Sequence, residues 1–234
     1  MLLCGLQKTT LLDFPGHVAC TVFTGGCQFR CPYCQNGELV LNPAAYATIT
    51  EEEVFSFLKK RKGILEGICI TGGEPTLQQD LPSFIRKIKE LEYLVKLDTN
   101  GYRPEVLGSL LEEGLLDYVA MDVKASKEKY PETVGLPGLD VSKLEQSVSL
   151  LISQDKIPYE FRTTVVKGLH DAEEFETIGK WLSGAKALYL QGYRESGNVL
   201  EPARCEGSFE KNELECMAEK AKKYIARVEV RGVE

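Results

Sequence analysis

Short apolar runs alternate with amphipathic segments along nearly the whole chain, and this alternation most restricts the fold. The runs span 18–24, 67–71, 93–98, 118–123, 159–166 and 187–191. Most are near-continuously apolar, as parallel strands covered on both faces must be. Between them lie segments with helical spacing and recognisable ends. Thr50 and Glu53 form a capping box ahead of Val54, Phe55 and Leu58. Asp80 precedes Leu81, Phe84, Ile85, Ile88 and Leu91, which share one helical face. Pro104 opens a helix that Gly114 closes. Asp171 with Glu174 reads as another capping box, Gly184 as a stop, and 210–226 as a final helix. Repeated strand–helix units imply a parallel sheet with right-handed crossovers. Six strands predict an α/β fold, a partial (βα)6 TIM-like barrel, with an open doubly wound sheet as the alternative. The 234 residues fit one domain over 1–234, with a short extension over 1–16 and a cysteine loop over 25–36.

Ligands in either architecture meet the carboxyl ends of the strands. The first strand runs into the cysteine loop, and the second ends in Thr71-Gly72-Gly73-Glu74-Pro75. The third ends in Asp98-Thr99-Asn100-Gly101, the fourth carries Asp122 and Lys124, the fifth contains Arg162, and the sixth ends near Gln191. Each has a plain structural reading. Gly72-Gly73 suits a tight turn, Asp98 to Gly101 suits turn and capping chemistry, and His170 reads as a loop residue near a helix start. Asp122 and Lys124, two apart on a strand, face one side; if that side is interior, their charges need partners, which a zwitterionic ligand would supply.

Cys27, Cys31 and Cys34 are spaced C-x3-C-x2-C within one loop. Three thiolates leave one iron of a four-iron cubane open for chemistry. A structural zinc site wants four ligands, commonly in paired knuckles, and Cys4, Cys20, Cys69, Cys205 and Cys216 supply no second knuckle. Cys20 and Cys69 lie in apolar runs and read as small buried hydrophobes. The opening residues are too few for a secretory leader, and a chain of this size needs no disulfide staple. No apolar run reaches membrane length. A formal charge of −7 without a basic block argues against nucleic-acid and anionic-membrane partners.

The cysteine loop, with Tyr33 just before its third cysteine, and the Gly72-Gly73-Glu74-Pro75 segment at the next strand end together resemble the radical S-adenosylmethionine superfamily. The likeness runs roughly from Gly5 to Gln191. The segment from Gly5 to Gly16 (Gly-Leu-Gln-Lys-Thr-Thr-Leu-Leu-Asp-Phe-Pro-Gly) resembles the activating proteins of glycyl radical enzymes, most narrowly those of anaerobic ribonucleoside-triphosphate reductase. Asp98 to Gly101 and Met121 to Lys124 are similar to stretches of the pyruvate formate-lyase activases.

The resemblance implies a cytoplasmic oxidoreductase in which Cys27, Cys31 and Cys34 hold a [4Fe-4S] cluster. Reductive cleavage of S-adenosylmethionine would give a 5′-deoxyadenosyl radical that takes hydrogen from a glycine of a partner enzyme. It further implies that Gly72, Gly73 and Glu74 contact the methionine amino group and that Tyr33 lies by the adenine. Asp98, Asp122, Lys124 and Arg162 would position the cofactor. Gln191 stands where related activases can carry a ribose-contacting histidine; glutamine can still donate and accept a hydrogen bond. The expected partners are a glycyl radical enzyme and a reduced flavodoxin- or ferredoxin-type donor. The alternatives are a compact radical enzyme acting on a small molecule, such as a modified-nucleoside precursor, and a zinc-binding interaction module.

Overall fold

The apolar runs form strands, and two further strands join them near the chain ends. The computed structural model describes residues 1–46, 49–195 and 197–233. Its internal contacts divide the chain into two compact units: Met1–Gln28, Glu38–Ala120 and Lys156–Pro158 in the first, and Phe29–Gly37, Met121–Asp155 and Tyr159–Glu234 in the second.

In chain order the first unit brings β1 (Leu3–Thr10), β2 (Ala19–Thr24), α1 (Gly37–Leu41, begun by the last residue of a second-unit segment), α2 (Glu51–Lys60), β3 (Gly67–Gly72), α3 (Leu81–Glu90), β4 (Leu94–Thr99) and α4 (Pro104–Glu112). β1 pairs antiparallel with β2, whereas β2, β3 and β4 run parallel. β2 and β3 are buried along almost their whole length, so the apolar runs at these positions face packing on both sides. Their register sets Thr24 against Gly72, so the cysteine loop and the Gly-Gly loop leave the sheet side by side. The capping box predicted at Thr50 and Glu53 is present in full.

β5 (Tyr118–Asp122) starts in the first unit and ends in the second with Met121 and Asp122. There follow α5 (Tyr130–Thr133), α6 (Val141–Ser153), β6 (Tyr159–Val165), α7 (Glu174–Trp181), β7 (Leu188–Gly192), α8 (Lys211–Ala221) and β8 (Val228–Arg231). β6, β7 and β8 are parallel.

The structure departs from the sequence reading in the number of strands and at one helix cap. Among the described residues there are eight strands, not six. The segment taken as an extension over 1–16 contains β1, whose half-exposed pattern hides the alternation expected of a strand. β8 has only four residues, too few to stand out. Asp171 does accept from the Glu174 amide at 2.9 Å, but no reciprocal box forms: the Glu174 carboxylate turns inward and accepts from Ser126 N at 2.7 Å.

Candidate active site

In the first unit the backbone of β2 and β3 continues past the sheet. Gly73 N donates to Thr24 O and Glu74 N to Gly26 O, both at 2.8 Å. The approach is so close that a Cβ on Gly73 would lie 2.0 Å from Gly26 O. Gly72 has φ +116°, a conformation that L side chains rarely adopt. These glycines bring two backbones together directly beside Cys27.

Glu74 is 1% exposed. Its carboxylate accepts from Thr76 N at 3.1 Å, Thr76 Oγ1 at 2.5 Å, Thr99 Oγ1 at 2.7 Å and Asn100 N at 2.7 Å. Four donors match the roughly four lone-pair positions of a carboxylate. Burial pushes its pKa up, and the hydrogen bonds from Thr76, Asn100 and Thr99 only partly offset that. The Asn100 side chain (6% exposed) accepts from Tyr102 N and Gln28 Nε2, both at 3.0 Å, and its Nδ2 donates to Cys27 Sγ at 3.7 Å. Asp98, two residues earlier on β4, is ion-paired with the buried Lys96.

The second unit gathers Cys31, Tyr33, Cys34, Asp122, Lys124 and Arg162. Asp122 takes Lys124 Nζ at 3.0 Å on one oxygen and Arg162 Nε at 2.9 Å on the other. Burial alone would raise the Asp122 pKa, but Arg162 and then Lys124 outweigh it and hold the value at about 2. Lys124 is stabilised in its charged form: Asp122 outweighs the opposing effect of burial. The side chains keep 26% (Asp122), 17% (Lys124) and 15% (Arg162) of their surface, so a ligand can still reach them. The motif therefore presents two cations and one anion to a visitor.

Burial pushes the Cys31 thiol up to about 12, with Lys124 pulling the other way. A thiol so placed keeps its proton until a metal displaces it. The Tyr33 hydroxyl is buried with no hydrogen-bond partner among the described residues, and burial raises its pKa well above the usual phenol range. The back of the loop is fixed: Leu200 N donates to Cys34 O at 3.1 Å, Glu201 N to Pro32 O at 2.8 Å, and Arg30 N to Val134 O at 2.7 Å.

His170, read from the sequence as a loop residue near a helix start, lies in such a loop but also makes contacts that the sequence did not announce. Only 5% exposed, it accepts from Val166 N through Nδ1 at 3.1 Å, which leaves Nε2–H to donate to Lys124 O at 2.8 Å. Its ring meets Tyr33 edge-on at 6.3 Å between centroids. It thus ties the turn after β6 to the end of β5 and braces Tyr33. No local motif announces this, because the bond to Lys124 spans 46 residues. Gln191 sits one residue before the end of β7, half-buried and level with Thr164 of β6. The hydrogen bonds that join Asp122, Lys124 and Arg162 do not involve it.

Cys27, Cys31 and Cys34 offer three thiolates with no fourth cysteine in their loop, one short of the four ligands of a structural zinc site. A cubane instead takes each thiolate on a different iron. Nδ2 of Asn100 supplies a donor to one sulfur, and the orphaned Tyr33 hydroxyl and the Asp122 motif offer polar contacts to a zwitterionic nucleoside.

A family model described as the radical SAM superfamily matches residues 21–182. A Methanocaldococcus jannaschii protein named as a glycyl-radical enzyme activating enzyme is 32% identical over 235 residues, covering 99% of this chain and 96% of that one. A Thermococcus kodakarensis protein named as a GTP 3′,8-cyclase is 30% identical over 161 residues, covering 66% of this chain but 50% of its own. Among solved structures, Streptococcus suis SuiB bound to S-adenosylmethionine superposes with a TM-score of 0.66 at 14% identity, covering 88% of this chain and 48% of that one. That likeness is one of fold.

Proposed function

Because the chain belongs to the radical S-adenosylmethionine superfamily, and is therefore an enzyme whose cofactors are a [4Fe-4S] cluster and S-adenosylmethionine, we propose that it installs a glycyl radical in a partner enzyme. The observation that carries this reading is the end-to-end match to the M. jannaschii activating enzyme, which includes β1 and β8 outside the superfamily match. An anaerobic ribonucleotide reductase is the partner that the segment from Gly5 to Gly16 favours. The competing reading, chemistry on a small molecule, draws on the cyclase, whose match leaves half of that protein uncovered.

When bound, the reduced cluster supplies one electron that cleaves S-adenosylmethionine to methionine and a 5′-deoxyadenosyl radical. The protein's own part is to bind and orient. Cys27, Cys31 and Cys34 would each hold one iron. Asp122, Lys124 and Arg162 would orient the zwitterion, with Asp98 beside it and Tyr33 at the adenine. Because the four hydrogen bonds to Glu74 use its carboxylate, the main chain of Gly72 and Gly73 would meet the methionine ammonium. Gln191 would reach the ribose. A reduced flavodoxin- or ferredoxin-type protein would deliver the electron, with no nucleic-acid or membrane partner. The eight cysteines carry thiols and none is joined in a disulfide, as a reducing cytoplasm favours, and among the described residues no helix is long and apolar enough to cross a membrane.

The test is anaerobic reconstitution with iron and sulfide, chemical reduction, and addition of S-adenosylmethionine with a glycyl radical enzyme from the same organism. A glycine-centred radical signal in the partner, formed with 5′-deoxyadenosine, is the expected result. Turnover that needs a small metabolite and leaves the partner without a radical would replace this reading with the competing one.

A further inference from the structure

We propose that Asn100 tunes the reduction potential of the cluster by donating a hydrogen bond to the Cys27 sulfur. The inference rests on the reading that Cys27, Cys31 and Cys34 hold that cluster. Asn100 stands just past β4, 73 residues from Cys27, and its Nδ2 lies 3.7 Å from Cys27 Sγ, an ordinary length for a nitrogen donor to sulfur.

The orientation of the amide follows from its neighbours. A backbone N–H can only donate, and Tyr102 N points at one end of the Asn100 amide at 3.0 Å. That end is therefore the oxygen, and the end facing sulfur is NH2. Gln28 Nε2 donates to the same oxygen at 3.0 Å. The Asn100 backbone is itself pinned, since its N–H donates to the filled Glu74 carboxylate at 2.7 Å. Glu74, Tyr102 and Gln28 thus aim one N–H at one sulfur.

Hydrogen bonds to the sulfurs are among the factors that set cluster potentials. Reduction adds negative charge, part of which falls on the thiolates, and a donor at a sulfur stabilises the reduced form. The bond therefore raises the potential and brings the cluster within reach of a protein donor.

The plain alternative is that Asn100 only closes the turn. The turn needs the side-chain oxygen alone, which aspartate also supplies. Asn100→Asp keeps the acceptor for Tyr102 and Gln28, removes the donor to Cys27 and adds a negative charge. We expect this variant to bind as much iron as the wild type. At a fixed ambient potential its reduced-to-oxidised ratio should fall at least about tenfold, which for one electron is a downward shift of about 59 mV. Asn100→Ala should shift the same way by less. In wild-type protein carrying 15N-asparagine, pulsed EPR of the reduced cluster should show coupling to the side-chain nitrogen.

Equal potentials in wild type and in whichever variant assembles a cluster, together with no 15N coupling, would overturn the proposal. The coupling needs no variant, so it decides the matter even if a substitution prevents folding. A wild-type protein that takes up no iron and sulfide would instead remove the underlying reading, and the proposal with it.

Discussion

Two acidic residues, one in each unit, show opposite ways of keeping a carboxylate inside a protein. Glu74 is surrounded by four neutral donors from its own chain and is only 1% exposed. Asp122 lies between two cations and keeps 26% of its side-chain surface. Burial without a cation leaves the first with a raised pKa, and two cations hold the second at about 2. The first uses its capacity to shape the end of β4; the second presents an ionic motif that a zwitterion can join. Position beside a candidate ligand does not make a charged residue a ligand contact; the deciding matter is whether its hydrogen-bonding capacity is already used.

Substitution separates the two kinds of residue, and the largest effect belongs to neither carboxylate. Gly73→Ala places a Cβ against the Gly26 carbonyl, a backbone atom that cannot swing aside. It should cost about 3 kcal/mol, the upper end for overpacking, and lose most reconstituted iron. Urea unfolding and iron analysis measure both.

Next comes Glu74→Gln. Either amide orientation turns an NH2 toward the Thr76 or the Asn100 amide, so one buried N–H loses its acceptor. The expected loss is about 2 kcal/mol by urea unfolding. A variant as stable as wild type would remove the contrast between the two carboxylates.

Asp122→Asn should do the reverse. Because the motif is part-exposed, unfolding should shift by less than about 1 kcal/mol. Affinity for S-adenosylmethionine should fall about tenfold, some 1.4 kcal/mol, by calorimetry on reconstituted protein. A stability loss matching that of Glu74→Gln would show that Asp122, too, is chiefly structural.

The smallest effect is on pH dependence. The folded value of Asp122 lies below the ordinary ~3.9, so its contribution is complete above that value and disappears as pH falls toward about 2. The stability gap between wild type and Asp122→Asn should close over that window. Glu74 runs the other way: with its pKa raised, the folded state holds the proton more tightly, and stability is lost as pH rises from the ordinary glutamate range toward the raised value. Glu74→Gln should lack that decline.

Much of the fold was legible because β2, β3, β5 and β7 are largely apolar and α2 opens on a full capping box. What escaped did so for physical reasons. β1 and β8 are half-exposed or short. α6 lies in a stretch to which the sequence reading assigned no element, although Asp140 caps it by accepting from Ser142 N at 3.1 Å. At the site, cysteine spacing and paired glycines are local patterns, whereas the contacts of Asn100 to Cys27 and of His170 to Lys124 exist only once the chain has closed on itself. Lys96, 1% exposed, sits within an apparent apolar run and meets its ion partner Asp98 only two residues away.

The contact between Gly26 and Gly73 also limits the routes by which this chain can change over generations. A single codon change that adds a side chain at 73 meets a main-chain oxygen 2.0 Å away, so nothing in the surrounding side chains can compensate for it. The exit of β2 must shift first, and that exit carries Cys27. A lineage can therefore place a side chain at this position only by first re-siting a thiol, and the order of those two events is set by the geometry.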